Sequence, residues 1–152
     1  MDQAKPKVKN LKKMLVTAEV LNVEESLDLA TIIQATKHED TRIRRASVYL
    51  LGELKDLKAL GPLCEALEDQ DRVVGRIAAR ALGKLEDPQV IEPLSKFLVK
   101  VADNSDMRCV VVCSISRVAR KAGPGVLDQV PGLQAYFTHH CLNVQKVYAS
   151  LH

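Results

Sequence analysis

The chain has 152 residues, a formal net charge of +3 and 47% hydrophobic residues, with no tryptophan and only 3% aromatic residues. A chain of this length buries roughly 68–70% of the surface that its unfolded form exposes, which is enough for one ordered domain with an aliphatic core. No segment reaches the ~18 uninterrupted apolar residues of a bilayer span, and the chain does not start with the apolar run of a signal peptide. We therefore expect a soluble cytoplasmic protein.

The distribution of charge and the cysteine spacing indicate which part of the chain is basic and whether disulfides are expected. Residues 1–13 hold five lysines and one aspartate, so only the start of the chain is basic and the rest is nearly neutral. The four cysteines show no CxxC spacing, and a domain of this size does not need disulfides for stability, so we expect reduced thiols. These cysteines are Cys64, Cys109, Cys113 and Cys141.

The first part of the chain predicts a tail and a helix pair. Residues 1–7 have no apolar period and are predicted to be a tail. Helical spacing of apolar residues predicts helices over 8–21 and 24–37, the second with acidic residues in its first turn. Together, residues 8–37 are predicted to be a divergent N-terminal capping repeat.

The central stretch, 40–98, contains the same pattern twice at an offset of 31 residues. A fixed period of this size is typical of stacked helical repeats. We predict repeats over 40–70 and 71–101, each with a helix A followed by a helix B. In the first, helix A spans about Thr41–Leu54 and helix B about Leu57–Leu67, or starts near Leu60. The predicted packed face of this helix A is Ile43, Ala46, Ser47, Leu50, Leu51 and Leu54.

Proline recurs at the same phase in both repeats. Pro62 and Pro93 are 31 residues apart inside the two B helices. A proline is tolerated in the first helical turn, where the backbone N–H has no partner. The pattern therefore predicts that both B helices start shortly before their proline.

Weaker copies follow. Residues 103–138 predict a third repeat, with helix A from about Met107 and helix B from Val126 to about Phe137. Residues 142–152 predict a terminal half repeat, a lone helix A. Because no helix B follows it there, this end packs as a modified cap, pairs with another copy or continues into a longer array. Of these alternatives we predict the homodimer contact.

The repeats resemble the short HEAT-like repeats of the phycobilin-lyase type. The resemblance rests on the segments Ile43-Arg44 to Leu51-Gly52-Glu53-Leu54 and Val74 to Leu82-Gly83, followed by Asp87-Pro88. It implies an all-α fold, a right-handed α-solenoid of antiparallel helix pairs, with A helices on the convex side and B helices on the concave side. Families of this kind mostly bind other proteins, although some members are enzymes.

Two surfaces are candidate protein-binding sites. The predicted concave side has mixed charges, at Glu65, Glu68, Glu92, Lys96 and Lys100. The predicted convex side has a stripe that includes Arg45, Tyr49, Arg76 and Arg80, joined by Arg42, Arg72 and Lys146. The stripe suits an acidic protein, a nucleic acid or an anionic membrane surface; its alternative role is solubility, with arginine to carboxylate pairs between repeats.

Other chemistries fit less well. Deoxyhypusine hydroxylase, which has this fold, holds its irons with several His-Glu pairs, whereas His38-Glu39 is the single such pair here. Cys109 and Cys113, with His139, His140 and Cys141, supply enough soft ligands for zinc, but their spacing matches no known knuckle, and partly buried thiols are the alternative. No catalytic group is visible, and we expect no cofactor and no metal.

DNA glycosylases built from such repeats line their groove with aromatic and basic residues. The predicted concave side here leans acidic, whereas duplex DNA needs several Lys or Arg on one surface, so nucleic-acid binding is a poor fit there. The sequence therefore predicts a non-catalytic scaffold that binds a protein partner. The alternatives are an accessory subunit of an enzyme of the paired lyase type, and nucleic-acid or anionic-surface binding through the basic convex face.

Overall fold

The computed structural model describes residues 28–130, and this part of the chain is helical, with no strand. The α-helices there are α1 (Leu29–Ala35), α2 (Thr41–Leu54), α3 (Leu60–Ala66), α4 (Arg72–Leu85), α5 (Ile91–Lys100) and α6 (Ser105–Ala122). Short 3₁₀ helices span Leu57–Ala59, Pro88–Val90 and Pro124–Gln129. The chain divides between Ala81 and Leu82, inside α4, into two compact units.

Several predictions fall outside the described residues. They are the tail, the helix at 8–21, the start of the helix at 24–37, the end of the third helix B and the half repeat at 142–152. Lys146, His139, His140 and Cys141 lie there as well. Among the described residues, no helix is long and apolar enough to cross a membrane.

The first unit confirms the predicted helix A at Thr41–Leu54. Asp40 is the N-cap of α2, because its carboxylate accepts the backbone N–H of Arg42 at 2.8 Å. Such a cap satisfies one of the N–H groups that have no partner in the first turn. The helix ends at Leu54, and the residue that follows, Lys55, has a left-handed φ of 53° that stops helical propagation.

Both B helices begin with a 3₁₀ turn and continue as an α-helix. Asp56 caps the first 3₁₀ turn through the N–H of Lys58, and Asp87 caps the second through the N–H of Gln89. Pro62 and Pro93 are each the third residue of the α-helix that follows. The first turn has no intrahelical N–H bond to lose there, so both prolines are accommodated without a break, as their phase predicts.

The third helix A starts two residues before the predicted start near Met107, because α6 begins at Ser105. Asn104 caps it by accepting the N–H of Met107 at 3.1 Å, and the helix ends at Gly123, where φ is +96°. The predicted helix B from Val126 is wrong at its start, since Pro124–Gln129 is a 3₁₀ helix. This segment matches the 3₁₀ turns that open the two earlier B helices.

Aliphatic side chains form the core of each unit. In the first unit, Leu50, Leu51, Leu63 and Val74 are fully buried, and in the second Leu82, Leu94, Leu98 and Ile115 are buried to the same degree. The predicted packed face of helix A is wrong at Leu54, which is 43% exposed because it is the last residue of α2 and extends past the core. Val48, which was not part of that face, is completely buried.

Candidate functional site

Three arginines form a row on the exposed face of α4. Arg72, Arg76 and Arg80 follow one another at four-residue intervals, so they lie on one helix face about 6 Å apart along the axis. All three are exposed, and within residues 28–130 no hydrogen bond or ion pair involves their guanidinium groups. Arg76 and Arg80 therefore remain candidates for binding, and we call Arg72, Arg76 and Arg80 the α4 arginine row.

Arg45 has a different role from the row. Its guanidinium donates to the carboxylate of Asp71 at 2.7 and 3.2 Å, and this hydrogen bond holds the pKa of Asp71 below its ordinary value. Asp71 also accepts the N–H groups of Val73 and Val74, at the start of α4. Arg45 therefore joins helix A of one repeat to the first turn of helix A of the next.

Tyr49, the fourth member of the predicted convex set, is half-buried on α2. Burial raises the pKa of its phenol, and a hydrogen bond with Glu53 raises it further. Arg42 bonds to Asp40 at 2.6 Å in the preceding turn. The predicted stripe thus separates into arginines that pair with carboxylates, on α2, and the α4 arginine row.

Sequence reasoning missed a largely buried charged pair, Arg44 with Asp69. Arg44 is only 5% exposed, and its Nε and Nη2 donate to the two carboxylate oxygens of Asp69 at 2.8 and 3.0 Å. Its Nη1 donates to the carbonyls of His38 and Glu39, and Nη2 also reaches the hydroxyl of Thr41 at 3.4 Å. All five N–H groups are engaged, so Arg44 fastens the turn before α2 and has no donor left for a ligand.

The role of Arg44 could have been predicted by comparing equivalent positions in the repeats. Arg108 occupies the equivalent place at the start of α6, and its Nη1 donates to the carbonyl of Ala102 at 2.7 Å, six residues upstream. Arg44 bonds to His38, which is also six residues upstream. An arginine at this phase therefore fastens the turn that precedes its helix.

A cavity of about 270 Å³ lies in the first unit, next to Arg44. Its lining residues are Thr36, Lys37, Arg44, Pro62, Glu65, Ala66 and Asp69. Two of its charged groups form the Arg44–Asp69 pair, and the other two form the pair between Lys37 and Glu65 at 2.9 Å. The cavity therefore offers no unpaired charge with which to recognise a ligand.

The predicted concave residues are all exposed, and some are paired. Glu65 lies on α3 and Glu68 in the turn after it, while Glu92, Lys96 and Lys100 lie on α5. Glu92 and Lys96 form an ion pair at 2.7 Å within one helical turn, which lowers the pKa of Glu92. Exposed pairs of this kind contribute little to stability.

The thiols on α6 are not partly buried, which corrects the sequence interpretation. Cys109 and Cys113 are both exposed, because their four-residue spacing places them on the solvent side of a helix that buries Val111, Val112 and Ile115. Cys64 is half-buried, and burial raises the pKa of its thiol. Within residues 28–130, no cluster of three or more His, Cys, Asp or Glu side chains could hold a metal.

The geometry of residues 28–130 defines a helical repeat structure, with helices and caps recurring at equivalent positions. A family model described as HEAT repeats matches residues 29–115, more than half of the chain. The chain therefore belongs to the HEAT-repeat family. The phycobilin-lyase subtype is not part of that match. Comparison with curated proteins gives no match.

Proposed function

We propose that the chain is a non-catalytic HEAT-repeat scaffold that binds a protein partner. HEAT repeats commonly serve as such scaffolds, and each rigid repeat presents its surface without a large loss of entropy on binding. The single observation that carries the proposal is the α4 arginine row, three exposed charges that the described fold does not use. Exposed side chains that the described fold does not use, on a rigid helix, suit a scaffold that binds through a preformed surface.

The proposal extends to the whole chain. We propose that residues 1–152 form one repeat domain, a right-handed solenoid of antiparallel helix pairs. Its proposed parts are a capping repeat at 8–37, repeats at 40–70, 71–101 and 103–138, and a half repeat at 142–152. In that arrangement α2, α4 and α6 are A helices on the convex side, and α1, α3 and α5 are B helices on the concave side. The homodimer contact through residues 142–152 stays a prediction outside the described residues.

Affinity purification from the native host tests the function. The full chain is used as bait, together with two variants that change charge by the same amount at the same helical spacing: Arg76→Glu/Arg80→Glu on α4 and Lys96→Glu/Lys100→Glu on α5. We expect one protein to co-purify in fixed ratio with the wild type and to be lost with one variant. Failure to recover any protein that binds the purified chain saturably would contradict the scaffold function.

A further inference from the structure

The arginines of the first unit fall into two groups by their partners. On α2, Arg42, Arg44 and Arg45 each bond to a carboxylate, those of Asp40, Asp69 and Asp71. On α4, the α4 arginine row has no carboxylate partner among residues 28–130. The fold therefore neutralises the arginines that it uses and leaves the row as uncompensated positive charge.

Folding alone does not account for the row. Like charges four residues apart on a helix repel and weaken it, whereas a glutamate in the middle of such a row would support the helix. The helix nevertheless has arginine at three successive positions of this spacing, at Arg72, Arg76 and Arg80. Binding of a ligand of opposite charge explains why three arginines that repel one another lie on this exposed face.

The geometry of the row suits carboxylates on a protein. The backbone positions of its three arginines span about 12 Å along the helix axis, the same spacing as positions at every fourth residue of a second helix. Arginine binds carboxylates with two parallel hydrogen bonds. Val73 and Ile77 lie beside the row and are half-exposed, so they offer aliphatic contact to the same ligand.

We propose that the α4 arginine row binds an acidic helical segment of the partner protein, with carboxylates at every fourth residue. The proposal rests on the scaffold function and adds the face and the chemistry of the partner. Nucleic acid is less favoured, because the chain has a net charge of only +3, no tryptophan and 3% aromatic residues. Nucleic-acid surfaces combine broad positive charge with aromatic stacking.

The first test uses a defined probe. It is a fluorescein-labelled, alanine-based peptide of about 18 residues, long enough to form a helix in water, with glutamate at every fourth residue. A second peptide has glutamine at those positions. Binding to the full chain is measured by fluorescence anisotropy at low ionic strength, where charge attraction is least screened. We expect saturable binding of the glutamate peptide alone.

The variants locate the binding face. We expect Arg76→Glu/Arg80→Glu to weaken binding of the glutamate peptide by about tenfold or more, the loss expected for charge-assisted hydrogen bonds. Lys96→Glu/Lys100→Glu makes the same change of charge on α5 and also breaks the Glu92–Lys96 pair, and it should weaken peptide binding much less than the α4 variant does. Because the first variant places a glutamate four residues after Arg72, it should fold at least as well as the wild type, which circular dichroism verifies.

Three results would overturn the proposal: no binding of the glutamate peptide by the wild type, equal binding by the α4 variant, or tighter binding of a labelled single-stranded oligonucleotide that the same variant abolishes. Binding of the purified host partner to the α4 variant distinguishes failure of this proposal from failure of the scaffold function. If the purified partner binds the α4 variant as well as the wild type, the scaffold function stands and the row is not its site. If no host partner exists but the peptide binds as expected, the scaffold function fails instead.

Discussion

Gly52 on α2 lies directly against Ala81 on α4. A Cβ built on Gly52 would be 2.7 Å from the Cβ of Ala81 and 2.9 Å from its Cα, so no side chain fits between the two helices. Gly83 has the same relationship with Ser114, whose Cβ would be 2.7 Å away. The glycine in each repeat therefore sets the close approach of successive A helices.

Adding one methyl group at Gly52 should destabilise the protein. Because the atoms in the way belong to Ala81 and its backbone, the helices must shift, and we expect Gly52→Ala to lower the free energy of unfolding by about 1–3 kcal/mol. Urea denaturation followed by circular dichroism at the helical band measures it. Gly61→Ala is the control, since nothing lies within 4 Å of its Cβ. A gain in stability with Gly52→Ala would contradict the close approach.

The buried pair between Arg44 and Asp69 should be sensitive to loss of one partner. Their side chains are 6% and 10% exposed, so Asp69→Ala leaves a buried guanidinium without its carboxylate. We expect a loss of about 3 kcal/mol in unfolding free energy, measured by urea denaturation. Arg44→Met combined with Asp69→Leu should recover only part of that loss, because it removes the uncompensated charge but leaves the carbonyls of His38 and Glu39 without their donor. A loss in the double variant equal to or greater than that in Asp69→Ala would argue against the assignment.

Asp71 combines two roles that can be separated. Its carboxylate pairs with Arg45 and accepts the N–H groups that open α4. Asp71→Ala removes both roles, whereas Asp71→Ser keeps a capping oxygen and removes the ion pair. We expect thermal denaturation to rank the wild type above Asp71→Ser, and Asp71→Ser above Asp71→Ala. Equal melting temperatures for the two variants would show that the cap contributes nothing.

Acid should weaken the fold through Asp40. The hydrogen bond from the Arg42 side chain lowers the pKa of Asp40 from 3.8 to about 2 in the native state. The unfolded state then binds more protons between those values, so the stability from this group is present above pH 3.8 and is lost as the pH falls through about 2. Asp40→Asn keeps the capping oxygen, and its urea midpoint should fall less steeply over that range. Identical pH profiles would exclude this linkage.

The exposure of the two cysteines on α6 can be tested by their reaction with a thiol reagent. Cys109 and Cys113 are exposed and Cys64 is half-buried with a raised pKa, so a thiol reagent should reach the two α6 cysteines first. We expect Ellman's reagent, in a Cys141→Ser background, to titrate two thiols rapidly and one slowly. Cys64→Ser should remove the slow phase. A single slow phase from all three would mean that the α6 face is covered.

The sequence predicted the helices of the central repeats well because their limits are local. Asp40 and Asp87 cap the segments that they precede, and the 31-residue offset places Pro62 and Pro93 at equivalent turns. Such signals depend only on neighbouring residues. They gave Thr41–Leu54 correctly and gave Leu60 as one of two alternative starts for α3.

The pairing of charges could not be predicted in the same way. Arg42, Arg44 and Arg45 form one basic run in the sequence, and helical period alone does not say which of them is buried. Arg44 is buried because Asp69, 25 residues away, is placed beside it by the turn before α4. The separation of the α4 arginine row from the paired arginines of α2 likewise depends on contacts between repeats.

The dissociation constant of the purified host partner is the most direct test of the scaffold account, measured by calorimetry for the wild type and for the matched variants on α4 and α5. We expect saturable binding by the wild type, loss of binding by Arg76→Glu/Arg80→Glu and near-normal binding by Lys96→Glu/Lys100→Glu. Retained binding by the α4 variant together with loss in the α5 variant would move the site to the other surface. A wild-type chain that binds no protein saturably would contradict the scaffold function.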